Sequence, residues 1–352
     1  MEKSIAIAPV REALTFARIE ERDGHRLVLV SKYENDEVTG VDVTAHLGMG
    51  IDDPIGAYAS YGYDVLAALS LSRETVSLPV SNLALPVDLT ASHIATGTNF
   101  PEHGKESSVT DGPFLFPKEV RPTAFNAQVS AGGGLLDYEA ELCFVALSDI
   151  AVDETPEKVG LLLCNDYTDR AKLMRHIDPR DVTSGKGFTT GKSAPGFLPV
   201  GNLFVIPRDL RAFAAAIQLR LYRNAALKQS ARQSEAIWDF DEVLRQARSR
   251  RATAWDYEGR HVSLPLKNGC VPIRTGFLGG TPDGTIFRGV NKSAMLLGVL
   301  EWLAGGWNRP LLHRIIERHI AQELSRKCYL QPGDRVHIAV DYLGEIDSLI
   351  VE

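Results

Sequence analysis

The chain of 352 residues contains four cysteines, Cys143, Cys164, Cys270 and Cys328, which stand far apart and form no CxxC pair. A disulfide framework is therefore not expected. Cys143 and Cys164, inside apolar strand-like runs, read as small buried hydrophobes in a reducing, cytoplasmic setting. Positive charge is also in short supply. Lys and Arg number 38 against 45 Asp and Glu, a net charge of −7, so no basic field argues for nucleic acid or an anionic membrane as partner. No apolar run reaches membrane-spanning length, and no basic segment followed by a long apolar one opens the chain. Internal repeats, low-complexity tracts and a GxGxxG element are missing as well. The stretch Thr183 to Ser193 fails as a phosphate loop, because GxxxxGK[ST] requires Gly where Lys186 stands and no buried strand precedes it. What remains is expected to be a soluble protein, 44% apolar, of one large or two moderate domains.

Residues Asp137-Tyr138-Glu139-Ala140-Glu141, followed by the apolar run Leu142 to Ala146, fit a strand with a side-chain period of two. Glu139 and Glu141 then share a face with Asp137. Such acids repel one another unless a cation sits among them, and a hard divalent ion with oxygen ligands is the simplest candidate. A solvated sheet face is the ordinary alternative.

Around this strand the chain offers further candidates. Residues 1–85 alternate strand-like runs such as Arg26 to Val30, after the turn signal Asp23-Gly24, with a loop or short helix over 48–63. His103 and Glu106, three apart, are neighbours on a helical turn. A carboxylate beside an imidazole suits a general base that deprotonates water, and a surface ion pair is the alternative. Lys158 to Cys164 reads as a buried strand ending in Asn165-Asp166, where Asp166 serves as a ligand or caps a turn. Lys186, in a Gly/Thr-rich loop, can hold a substrate carboxylate or oxyanion. Strands are expected over 203–207 and 215–222, helices over 233–251 and 292–327, and a hairpin turning near Gly344 at the end.

In this order these pieces resemble the fumarylacetoacetate hydrolase family, over roughly Ile94 to Val351. The carriers are Asp137-Tyr138-Glu139-Ala140-Glu141-Leu142, Asn165-Asp166 followed by Arg170, the Lys186-Gly187 loop and, more weakly, Leu330-Gln331-Pro332-Gly333-Asp334. The resemblance implies an α+β, mainly β fold: a mixed β-sandwich roll at 86–352 behind a small β-rich N-terminal domain at 1–85. It implies Mg²⁺, with Mn²⁺ or Ca²⁺ as substitutes, on Glu139, Glu141 and Asp166. His103 becomes the base, oriented by Glu106, and Lys186 a catalytic cation. Arg170, Thr190 and Thr275 become substrate contacts, Thr275-Gly276 bordering the pocket near Gly280-Thr281-Pro282. The implied activity is hydrolytic C–C cleavage of a 1,3-diketone or acylpyruvate-type 2-oxo acid. The alternatives are a 2-oxo-3-deoxy sugar acid dehydratase or an oxo-acid decarboxylase or isomerase on the same site. A homodimer is also implied. The sequence departs from the family pattern at Leu173, where the family has glutamine, at Thr96, where fumarylacetoacetate hydrolase has a further aspartate ligand, and in the long helical insert 292–327.

Overall fold

The computed structural model describes the chain except residues 1–3, 23, 49, 110, 152 and 157; Asp23 of the turn signal lies outside the described residues. Three strands form the centre, Ala140–Ala146, Val159–Asn165 and Val200–Pro207, and every residue in them is buried. Their runs are apolar without alternation because both faces of the sheet are covered. They pair antiparallel, with Leu162 opposite both Cys143 and Phe204. Gly160 is dictated by packing, since a Cβ there would fall 2.2 Å from Phe204 Cζ.

This centre extends into a ten-stranded sheet. Beyond Val200–Pro207 come Ala13–Glu21, Gly24–Glu34, Glu37–Asp42 and Val76–Pro79; beyond Ala140–Ala146 come Gly276–Leu278, Ser92–Gly97 and Phe114–Glu119. A second sheet of five packs Gln218–Arg223 and Gly344–Val351 against the centre. The result is the expected α+β, mainly β sandwich. The N-terminal strands are continuous with it: Phe16 lies opposite Phe204, and Leu14, Phe16 and Leu27 share a buried cluster with Phe204 and Ile206.

The short helix expected within 48–63 is present: it begins at Pro54, and Gly62, with φ +71° and ψ 174°, kinks the helical segment Pro54–Leu69. Its start is set by Pro54 in the first turn and by Asp53, whose carboxylate accepts the Gly56 N–H at 2.8 Å. The strand expected over 215–222 is instead the end of the helix Leu210–Ala216, capped by Asp209, followed by the strand Gln218–Arg223. The insert is a helical hairpin, Lys292–Leu303 and Leu311–Arg326, broken at Pro310.

His93 gives the fold a pH dependence. Its ring is fully buried; Nδ1 accepts the Gly276 N–H at 3.2 Å and Nε2 donates to the Val120 carbonyl at 3.1 Å, which is the neutral tautomer. Burial, then the charge of Lys118, lowers its pKa to about 4. The unfolded chain takes up this proton near pH 6.5, so stability from this group is present above that pH and is lost as pH falls toward 4. Between pH 7 and 4.5 the expected loss from this group is about 2.5 kcal/mol, read from urea midpoints, and His93→Gln should remove that share of the dependence.

Candidate active site

Strand register brings the acids together. Asn165 pairs with Ala140 and Cys164 with Glu141, so Asp166 emerges beside Glu139. The Asp166 N–H donates to the Glu139 carbonyl at 2.8 Å, and the Glu139 N–H to Asn165 Oδ1 at 2.9 Å. The ladder breaks at Tyr138 and Glu139, so Glu139 stands just before the strand that carries Glu141. Glu139, Glu141 and Asp166 are all buried and offer oxygens within 4.8 Å of one another. Asp137 is turned elsewhere. It pairs with Arg170 at 2.9 Å and accepts the N–H groups of Ile286 and Phe287 at 2.9 and 3.1 Å, anchoring the loop there.

Three buried cations answer the acids. Lys192 Nζ lies 2.5 Å from Glu139 Oε2 and 2.8 Å from Asp166 Oδ2. Lys118 Nζ lies 2.5 Å from Asp166 Oδ1 and donates to the Lys192 carbonyl. Arg170 Nη2 lies 2.6 Å from Glu139 Oε1. Burial alone would raise Glu139, but Lys192, Arg170 and His103 outweigh it and hold the pKa down to about 2. Burial works to lower Lys192, yet Asp166 and Glu139 carry its pKa above the ordinary lysine value. For Lys118 burial prevails over Asp166 and the pKa falls.

Glu141 is the exception. Among the described residues it makes no ion pair; its Oε2 accepts the Gly280 N–H at 2.8 Å. Burial, then Asp166 and Glu139, push its pKa well above the carboxylate range. Counting Asp137, four carboxylates thus face three cations, and the uncompensated one is Glu141. Three buried hard oxygen donors short of one positive charge fit a divalent ion such as Mg²⁺. Gly280 is obligatory in this contact: its φ is +85° and a Cβ would stand 2.6 Å from Asn99 Cβ.

Glu139, Lys192 and Arg170 form the floor of a cavity of about 300 Å³, which His103, Thr96 and Thr281 also line. His103 sits on the helix Pro101–Ser107, and its Nδ1 is buried without a hydrogen-bond partner. Burial lowers its pKa to about 4, so the imidazole is neutral and able to accept a proton.

Four sequence-predicted residues lie elsewhere. Glu106 is not paired with His103: it accepts the Gly284 N–H at 2.8 Å and the Thr285 hydroxyl at 2.7 Å, and pairs with Arg288. Helical spacing made the two residues neighbours, but the 284–288 loop claims the carboxylate. Lys186 is exposed on the loop before the helix Phe188–Lys192; the lysine on the acids is Lys192, at that helix's other end. Thr190 directs its hydroxyl to the Asp256 carbonyl at 3.4 Å. Thr275 is buried with an unpartnered hydroxyl, outside the cavity lining, where Thr281 stands instead. Lys118 carried a signal that was passed over, a lone lysine in the apolar run FLFPKE, since a buried charge requires a partner.

Comparison with known proteins gives the family and the fold. The family model described as fumarylacetoacetate (FAA) hydrolase C-terminal matches residues 92–351. No curated protein matches. Among solved structures, 2-hydroxyhepta-2,4-diene-1,7-dioate isomerase from Mycobacterium marinum is 18% identical, with 96% of this chain and 98% of that one covered and a TM-score of 0.54. Maleylpyruvate hydrolase from Sphingobium sp. SYK-6 is 19% identical, covering 96% and 99%, with a TM-score of 0.55. Fumarylacetoacetate hydrolase from psychrophilic Exiguobacterium antarcticum is 18% identical, covering 96% and 99%, with a TM-score of 0.57. At these identities the likeness is one of fold. With the family model spanning most of the chain and a buried acidic triad where its register converges, the protein belongs to the fumarylacetoacetate hydrolase family.

Proposed function

We propose that this chain is a Mg²⁺-dependent hydrolase that cleaves a C–C bond in an acylpyruvate-type 2-oxo acid. The observation that carries the reading is the convergence, at one cavity, of an undercompensated acid triad and a neutral, unpartnered histidine. Glu139, Glu141 and Asp166 would hold the ion, which when bound supplies Lewis-acid stabilisation of enolate charge. His103 takes a proton from water as it attacks the carbonyl next to the bond that breaks, and returns that proton to the carbon of the departing enolate. Lys192 and Arg170 place positive charge beside the negative charge that develops, and the surrounding apolar wall strengthens that interaction by excluding water. Lys118 fixes Asp166 and the Lys192 backbone from behind.

Turnover of acylpyruvates with release of pyruvate, abolished by chelator and restored by Mg²⁺, is the expected result. Excess ion at a hundredfold over its Kd should also stabilise the fold by about 2.7 kcal/mol, and Glu141→Ala should lose that shift. Chelator-insensitive cleavage would exclude the metal part of this reading.

A second reading is isomerisation. The Mycobacterium marinum neighbour is an isomerase by name, and a neutral histidine can equally shuttle a carbon-bound proton. Solvent deuterium entering recovered substrate without cleavage would favour it.

A further inference from the structure

The cavity has two chemically distinct ends. Its floor carries Glu139, His103, Arg170 and Lys192, whereas its outer wall is Leu173, Met174, Ile177, Val182, Leu312 and Ile316. The first three of these wall residues come from the helix Arg170–His176 and the residue that closes it, and the last two from the inserted helix Leu311–Arg326. The insert therefore forms one side of the substrate site. Leu312, although it lines the cavity, is 44% exposed, so it stands at the mouth with apolar surface that a bound molecule would cover.

No cation lines that outer wall. Among the described residues lining the cavity, the permanent positive charges are Arg170 and Lys192, both on the acid floor. On the two wall-forming helices Arg175 pairs with Glu317 at 2.7 Å, Arg318 pairs with Glu301 and Arg314 donates to Asn308 Oδ1 at 2.7 Å, and in the neighbouring loop Arg288 pairs with Glu106. A carboxylate placed among Leu312, Ile316 and Val182 would give up part of its hydration to apolar surface and gain no cation there. An alkyl chain or aromatic ring there would bury apolar surface on both sides.

We infer that this site takes a 2-oxo acid with one carboxylate and an apolar chain or ring at its far end, and that the inserted hairpin selects for that tail. The inference rests on the functional reading above for the polar end of the substrate. The tail contacts depend only on the outer wall.

The test is steady-state kinetics with Mg²⁺ on acetyl-, butanoyl-, hexanoyl- and benzoylpyruvate, and on a chain of hexanoyl length ending in a second carboxylate. kcat/KM is expected to rise about fourfold per buried methylene, with the carboxylated chain about tenfold or more below its neutral counterpart. Ile316→Arg is expected to reverse that ranking, each variant's rate on acetylpyruvate serving as its own reference. If Ile316→Arg does not fold by circular dichroism, Leu312→Arg at the exposed mouth replaces it. A wild-type preference for the carboxylated chain would overturn the inference while leaving the reaction intact. If no member of the series turns over, the reaction reading fails instead. Calorimetric binding of the same compounds then decides the tail question: tighter binding of the neutral chains supports the inference, and equal or weaker binding overturns it.

Discussion

Lys192→Met is expected to destabilise the protein by about 3–5 kcal/mol, whereas Lys186→Met should change stability by less than about 0.5 kcal/mol. The two lysines are six residues apart and chemically identical; their surroundings differ. Lys192 is buried, with its ammonium 2.5 Å from Glu139 and 2.8 Å from Asp166. Removing it leaves Glu139 with Arg170 alone and Asp166 with Lys118 alone, in a medium that solvates charge poorly. Lys186 stands in water. Urea unfolding of both variants at pH 7 in chelator separates them. Because the Lys192 ammonium and a divalent ion favour the same oxygens, Mg²⁺ should stabilise Lys192→Met more than wild type. Equal, small losses for both lysines would show that the ion pairs around Lys192 contribute little.

His103→Ala should lower kcat by about 10²–10⁴-fold while leaving Mg²⁺ affinity, measured by calorimetry, near the wild-type value. The imidazole lines the cavity with an unpartnered Nδ1, and burial keeps it neutral. It is therefore in the protonation state that accepts a proton, and it is not one of the three clustered acids. Partial recovery of the rate by added imidazole would support proton transfer as its role. A comparable fall in metal affinity would instead place His103 among the ligands. Glu106→Gln offers a control with a different signature: its partners are Gly284, Thr285 and Arg288, so it should loosen that loop and leave the acid strength of His103 alone.

The acids of the triad could be read in the sequence because each is marked locally. Glu139 and Glu141 are two apart and Asn165-Asp166 closes a buried strand, which marked the candidates; their grouping as one ligand set was implied by the family resemblance, because the pairing that joins them is made by the fold. The central strands were legible for a similar reason, since long unbroken runs such as Leu161 to Cys164 occur where both faces are covered, whereas the sandwich they build was implied by the family resemblance. The cations were less legible. Lys192 lies in a Gly-Lys-Ser context that first invites and then fails a phosphate-loop reading, and which of two nearby lysines faces inward is decided by the helix Phe188–Lys192. The partner of Glu106 comes from 178 residues later in the chain, beyond any spacing rule. For the helical segment that starts at Pro54, apolar residues without a clear stripe left loop and short helix both open; its cap, Asp53 before Pro54, was the better signal.

The pairing of Ala13–Glu21 with Val200–Pro207 has a consequence for how the polypeptide can be divided. A chain cut at residue 86 would keep all of the segment that matches the family, residues 92–351, and the whole acid cluster. It would also strip the cover from VGNLFVIP, eight buried residues with one ladder edge of N–H and C=O groups left open. A long apolar edge of that kind templates pairing with other chains. Such a fragment should collect in inclusion bodies, so the N-terminal strands act as a built-in guard against self-association of the larger part of the molecule, which carries the acid cluster.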